Sequence, residues 1–229
     1  MSKEYQILPA ILEKRKKDIN KKLALVSDFA SWAQIDVVDG AFAPMITWPY
    51  TANFFDSFLH NYSLKKADAN LELHLMLNYP LDFLEQYGNL GAKRLIAHVE
   101  SEQTNELIEN WKKFGFAEFG LSFKLRTDLS KYRHLGDLSV IQIMCIDEIG
   151  KQGSKFSELS IEKVKKARSI FDHYVRIAVD GGIKDTNIKE LYLAGARQFA
   201  VGSFIFKSAN PKETYQRLEN ILQNQNMLK

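Results

Sequence analysis

Ile35-Asp36-Val37-Val38-Asp39-Gly40 is the stretch that decides the reading of this chain. An apolar run ends there on carboxylates and a glycine, and helix-like sequence comes after it. The same arrangement returns at His74-Leu75-Met76, at Asp180-Gly181-Gly182-Ile183 and at Val201-Gly202-Ser203, each behind a run rich in Val, Ile, Leu or Phe. Such repetition suggests a parallel barrel, in which chemistry gathers at the C-terminal ends of the strands. Asp36, His74 and Asp180 would then share one mouth, although 144 positions separate the first from the last.

Working outward, the candidate strands are Gln6 to Leu12, Ala33 to Val38, Leu71 to Leu77, Arg94 to Val99, Glu118 to Lys124, Val140 to Ile146, Tyr174 to Val179 and Gln198 to Val201. Eight runs in 229 residues give roughly 29 residues per unit, close to the βα repeat of a barrel. The runs are more continuous than alternating, as expected of parallel strands covered on both faces. Between them the period becomes helical: Ile19, Leu23, Val26 and Phe29 share one face, as do Leu107, Ile108, Trp111 and Phe114 ahead of Gly115. Ser160 is a candidate cap for a helix turning Ile161, Val164, Ala167 and Phe171 inward. Pro80 suits a first helical turn, and so does Pro211 behind the candidate cap Asn210. No linker rich in Gly, Pro or Ser divides the chain. The expectation is a single (β/α)8 TIM barrel domain over residues 1–229; an open doubly wound sheet is the alternative, but it usually needs fewer units.

Composition excludes several function classes. A hydrophobic content of 45% with 26% charged residues is that of a globular protein, and a net charge of +3 is too small to imply nucleic acid or an anionic membrane as partner. Lys14-Arg15-Lys16-Lys17 reads as a solvated helix face. Cys145 is the only cysteine, so no intrachain disulfide forms. No signal-peptide layout and no membrane-length apolar stretch is present, which makes a reducing cytoplasm the natural compartment.

Asp36 and Val38 face one way on a strand and Val37 the other. A carboxylate at the end of a buried strand needs a partner, because desolvating it alone costs several kcal/mol. Asp39 with Gly40 has the chemistry of a turn. A histidine inside a strand is more often a satisfied core residue than a ligand, but His74 ends the third strand on the same rim as Asp36. Met76 shares its face and offers soft apolar contact to a substrate. Gly181 and Gly182 end the seventh strand, Gly202 and Ser203 the eighth, where barrels often build a phosphate site from turns without side chains. His98 and Glu100 read as core or supporting partners. Lys124 also lies at a strand end, and His60, His134 and His173 carry no assigned role.

These residues resemble the ribulose-phosphate 3-epimerase family. The likeness runs from Ile7-Leu8-Pro9-Ala10-Ile11-Leu12 through Asp36 to Gly40 with Phe42, Pro44, Ile46 and Thr47, and on through His74-Leu75-Met76 and His98-Val99-Glu100. It continues with Gly120 to Lys124, Met144, Asp180 to Ile183, and Ala194-Gly195-Ala196 through Val201-Gly202-Ser203 to Phe206. The resemblance implies inversion at C3 of ribulose 5-phosphate through an enediolate, with Asp36 and Asp180 as acid and base. It implies a divalent metal (zinc, iron, manganese or cobalt) on Asp36, His74 and Asp180, a sugar phosphate against Met76, Met144, Gly181, Gly182, Gly202 and Ser203, and a homo-oligomer.

The chain departs from the family in four places. Gln34 stands where the family has its second histidine ligand, and its carbonyl could supply a weaker fourth contact. Ala10 replaces a serine and Met45 an asparagine. The sixth loop reads Asp147-Glu148-Ile149-Gly150-Lys151-Gln152-Gly153 in place of a glycine-rich one, so its two acids must point away from a bound dianion. Another ketose phosphate as substrate, or a non-catalytic relative that binds a phosphosugar, therefore stays open beside the epimerase.

Overall fold

A computed structural model describes residues 4–51, 69–82, 84–151 and 153–226. His60 and the loop residue Gln152 lie outside the described residues. Eight strands run parallel and close on themselves in chain order: β1 (Gln6–Ile11), β2 (Trp32–Val38), β3 (Asn70–Met76), β4 (Arg94–His98), β5 (Glu118–Phe123), β6 (Val140–Met144), β7 (Arg176–Asp180) and β8 (Gln198–Val201). Helices α1 (Lys16–Val26), α2 (Leu84–Gly88), α3 (Thr104–Asn110), α4 (Leu159–Ile170), α5 (Ile188–Ala194), α6 (Ser203–Phe206) and α7 (Pro211–Asn226) belong to the connections and the C-terminal end.

The barrel closes because its strands are apolar on both faces. Every residue of β2 is buried; Ile35 and Val37 pack into the main core, while Val38 joins a second cluster at the mouth. Burying one such aliphatic side chain is worth roughly 1.5–3 kcal/mol, so a strand that hides both faces is strongly held. Ile19, Leu23 and Val26 of α1 are buried as the period requires, and Phe29 packs against them part-buried. Gly115, at φ +82°, ends the 3-10 turn Trp111–Phe114 that extends α3. The side chain of Asn210 accepts the N–H of Glu213 at 3.3 Å, so the cap ahead of Pro211 is formed.

Most strand ends lie one or two residues from the sequence expectation, and three differences change what a residue does. β7 spans Arg176–Asp180, so Asp180 is the last residue of the strand, and Tyr174 sits 64% exposed in a turn closed by Val175 N–H on Asp172 O. Ser160 does not cap α4: it lies buried inside the first turn and gives its own N–H to Ser157 O. Pro80 opens a turn that leads into α2 and is not part of the helix itself.

The barrel interior is layered. At the N-terminal end sits a polar cluster around Arg94; Ile96, Val140 and Ala178 form an apolar middle; above them lies a second polar cluster at the mouth. Pairing register places Asp36 beside His74 and Met144 beside Asp180, so the strands themselves set the upper cluster.

Candidate active site

The loop after β2 fixes Asp36 from outside. Thr47, fully buried, donates its hydroxyl to Asp36 O at 3.1 Å and accepts Val38 N–H at 2.8 Å. Asp39 does turn work: its carboxylate takes the N–H groups of Ala41 and Phe42 at 2.9 and 2.8 Å, and that of Asn78 at 2.6 Å. Asp39 therefore ties the second loop to the third and does not face the mouth.

At the centre, His74 Nδ1 lies 3.0 Å from Asp36 Oδ1 and 3.3 Å from Asp180 Oδ2. Gln34 Nε2 donates to the same two oxygens, at 2.9 Å each. The far nitrogen of His74 meets His98 Nε2 at 3.0 Å with the rings stacked, and His98 Nδ1 meets Glu100 Oε2 at 3.0 Å. Glu100 Oε1 in turn accepts the N–H of Lys124 at 2.8 Å, while the Lys124 ammonium lies over the ring of Phe42, 4.2 Å from its centroid.

This chain of contacts fixes its own protons. Burial disfavours the ionised Glu100, but hydrogen bonds from His98, the Thr127 hydroxyl and the Lys124 N–H outweigh it and lower its pKa. An ionised Glu100 takes the Nδ1 proton of His98, which leaves His98 Nε2 as an acceptor. Burial, with the neighbouring charge of His74 adding to it, holds His98 neutral with a pKa near 4 despite the pull of Glu100. His74 must then donate through Nε2. Burial alone would keep His74 neutral, but hydrogen bonds to Asp180 and Asp36 overcome it and raise its pKa to about 9. Asp36 is itself pushed upward, by burial first and by the charge of Asp180, against the lowering effect of His74.

Asp36, His74 and Asp180 offer ligand atoms that all lie within 4.8 Å of one another. Ligands bonded at about 2.1 Å to one ion stand roughly 3.0–3.4 Å apart in octahedral or tetrahedral arrangements. The 3.0 and 3.3 Å separations from His74 match that spacing. Nδ1 could exchange its proton for a cation while Nε2–H stays on His98, the outer partner that an imidazole ligand requires. The residues present therefore fit a divalent cation.

Above the cluster is a cavity whose lining includes the apolar side chains of Ala10, Leu12, Met76, Met144 and Ile146. Gly181, Gly182, Gly202 and Ser203 also line it, together with Gly150, Gly153, Lys151 and Lys184. Gly181 and Gly182 have φ of +104° and +67°, and a Cβ on the second would meet the backbone of Phe156 at 2.8 Å, so both positions demand glycine. Asp147 and Glu148 are exposed and line no part of the cavity; Asp147 lies 3.9 Å from Arg126. The charged sixth loop thus keeps its acids off the cavity wall, while Lys151 sits exposed at the rim. Met45, by contrast, packs part-buried against the apolar cluster at the mouth and does not line the cavity.

The comparisons with known proteins agree with this geometry. The model of the ribulose-phosphate 3 epimerase family matches residues 6–206. The chain belongs to that family. Curated relatives include ribulose-phosphate 3-epimerase of Escherichia coli (strain K12), 30% identical with 96% of this chain and 97% of the relative covered. The enzyme of the same name from Helicobacter pylori (strain ATCC 700392 / 26695) is 27% identical, with 95% and 98% covered. Among solved structures, 3-hexulose-6-phosphate synthase from Salmonella typhimurium superposes with a TM-score of 0.68 at 16% identity, covering 96% of this chain and 99% of that one. Orotidine 5'-phosphate decarboxylase from Pyrococcus horikoshii OT3 gives 0.65 at 15%, with 95% and 99% covered. Those two likenesses speak for the fold alone. No helix among the described residues is long and apolar enough to cross a membrane.

All ten residues singled out from the sequence as catalytic, metal-binding or substrate-binding meet at this mouth: Gln34, Asp36, His74 and Asp180 in the cluster, and Met76, Met144, Gly181, Gly182, Gly202 and Ser203 around the cavity. Sequence reading did not single out Lys151 and Lys184, which also line the cavity. Lys184 had a visible signal, as the first cation after the Asp180-Gly181-Gly182-Ile183 turn.

Proposed function

We propose that this protein is a sugar-phosphate 3-epimerase, interconverting D-ribulose 5-phosphate and D-xylulose 5-phosphate by proton transfer between two carboxylates through an enediolate. The observation that carries the reading is the pair Asp36 and Asp180, from β2 and β7, both 8% exposed and both held against one imidazole and one carboxamide. A single base suffices to remove a proton beside a carbonyl. Inversion needs a second group on the opposite face to return it.

Each residue has a distinct task. One aspartate takes the C3 proton and the other delivers a proton to the opposite face. Burial, and after it the charge of Asp180, raise the Asp36 carboxyl from its ordinary value, which favours its proton-carrying form. His74 and Gln34 keep both carboxylates aimed at the cavity. Met76, Met144, Leu12 and Ile146 exclude water, which strengthens every charge interaction inside. The turns at Gly181-Gly182 and Gly202-Ser203 receive the phosphate through backbone N–H groups and the Ser203 hydroxyl, with Lys151 and Lys184 supplying positive charge. A divalent cation on Asp36, His74 and Asp180 would stabilise the negative charge that develops on the two enediolate oxygens.

A second reading, the same chemistry on another ketose phosphate, is favoured by Ala10, which lines the cavity where the family carries a serine hydroxyl. The test is a coupled assay for D-xylulose 5-phosphate formed from D-ribulose 5-phosphate, run with and without added Mn2+, Zn2+, Fe2+ or Co2+, and repeated on hexulose phosphates. Conversion of the pentulose supports the first reading. Conversion of a hexulose phosphate alone supports the second, and no conversion of any ketose phosphate refutes both.

A further inference from the structure

Gln34 is fully buried, and its two terminal atoms are in opposite situations. Nε2 spends its two protons on Asp36 Oδ1 and Asp180 Oδ2, at 2.9 Å each, and stands 3.5 Å from His74 Nδ1. Oε1 has no hydrogen-bond partner among the described residues. An orphaned buried carbonyl costs about 1–3 kcal/mol, and the same side chain turned by 180° about its last bond exchanges the two atoms. In the turned position an oxygen would face two carboxylates, which is repulsive unless a cation sits between them.

The spacing identifies where that cation would lie. The Gln34 terminal atom, Asp36 Oδ1, His74 Nδ1 and Asp180 Oδ2 are separated by 2.9, 2.9, 3.5, 3.0 and 3.3 Å along the five measured edges. All five lie within about 0.1 Å of the separations expected for ligands at about 2.1 Å from one centre. The fourth corner is occupied by a group that cannot ligate as it stands, since an amide N–H donates and has no free lone pair, but that ligates once turned.

We propose that the Gln34 carboxamide is a two-position bridge: with Nε2 inward it closes the carboxylate pair without a cation, and with Oε1 inward it completes a donor set of three oxygens and one nitrogen for a divalent cation. The inference rests on Asp36, His74 and Asp180 as cation ligands and adds two consequences. The site stays organised when the cation is removed. Its preference shifts from zinc toward oxygen-favouring ions such as Mn2+, because carbonyl and carboxylate oxygens suit those ions while imidazole suits zinc.

The experiment uses the whole protein stripped with chelator, with Zn2+ and Mn2+ affinities measured by competition against a chromophoric chelator for the wild type and for Gln34→His. No substrate is needed, so the outcome is independent of epimerase activity. Gln34→His is expected to raise the ratio of Zn2+ to Mn2+ affinity at least about tenfold. An unchanged ratio overturns the role of Gln34. Absence of divalent binding in both proteins overturns the ligand set itself, and neither result bears on whether the sugar phosphate is turned over. Should Gln34→His not fold, Gln34→Glu carries the test. With oxygen at both positions it should melt below the wild type without cation and be restored by Mn2+; failure of Mn2+ to raise its melting temperature overturns the proposal.

Discussion

The barrel interior holds two buried polar clusters, and they are built on opposite plans. In the lower one, Arg94 donates to Glu72 and Glu118 at 2.7 Å each, to Gln198 at 2.8 Å and to Gln6 at 3.4 Å, and its guanidinium lies 4.1 Å from the centroid of the Trp32 ring. Gln198 closes the circuit by donating to both oxygens of Glu72, at 3.1 and 2.9 Å. In the upper one, two carboxylates crowd one imidazole, and the amide oxygen of Gln34 has no hydrogen-bond partner among the described residues. Ile96, Val140 and Ala178 separate the two. Arg94, Glu72 and Gln198 are as fully buried as Gln34 and His74, so burial alone does not mark a site. The difference lies in unspent hydrogen-bonding capacity: the lower cluster satisfies its charges internally, whereas the upper one keeps valences for something that must arrive.

That contrast predicts opposite responses to substitution. The largest effect belongs to the upper cluster: Asp36→Asn and Asp180→Asn should each lower the rate of inversion by about a thousandfold or more. Each removes one of two crowded like charges but also one of the carboxylates that hold the His74 proton, so each should cost some stability, though less than breaking the lower cluster; activity together with a chemical denaturation curve checks both halves. Arg94→Ala should do the reverse. Leaving Glu72 buried without its partner costs about 3–5 kcal/mol, to be read from urea unfolding, while activity per folded molecule stays near that of the wild type.

A smaller effect is set by pH. His74 binds its proton with a pKa near 9 when folded, against 6.5 when unfolded, so its contribution to stability is complete below 6.5 and lost as pH rises through about 9. The amount is on the order of 3 kcal/mol. Asp36, also raised, loses its contribution in the same direction as pH climbs through its own elevated pKa. Chelator-treated protein should therefore melt lower at pH 9.5 than at pH 6.5, and His74→Asn should flatten that slope; a melting temperature that rises over this interval contradicts the proton assignment. The smallest effect concerns the phosphate end. Lys184 and Lys151 are exposed at the cavity rim, so Lys184→Met should raise KM about three- to tenfold and leave kcat nearly unchanged.

The barrel was legible because its evidence is local and repeated. Runs such as Ile35 to Val38 and Val140 to Met144 carry both the strand signal and the buried-on-both-faces signal within a few residues. Boundaries were less legible at β7, where Tyr174 and Val175 look like strand residues but are taken by a turn on Asp172. The carboxylates and His74 were legible from their place at strand ends. The bridging of Asp36 and Asp180 by Gln34 was not, since it depends on which amide atom points inward, a matter settled by partners 2 and 146 positions away. The lower cluster was missed altogether. Glu72 and Arg94 stand 22 positions apart with no spacing that announces a pair, and only barrel closure brings Gln198 to them.

The most direct test of the upper cluster as a two-sided proton-transfer site is solvent exchange. D-ribulose 5-phosphate incubated with the wild-type protein in D2O, in the presence of Mn2+, should yield D-xylulose 5-phosphate carrying one deuterium at C3 and none at the other carbon positions, read by proton NMR. Recovery of the sugar with its C3 hydrogen intact and its configuration unchanged, with each of manganese, zinc, iron and cobalt, would contradict the account.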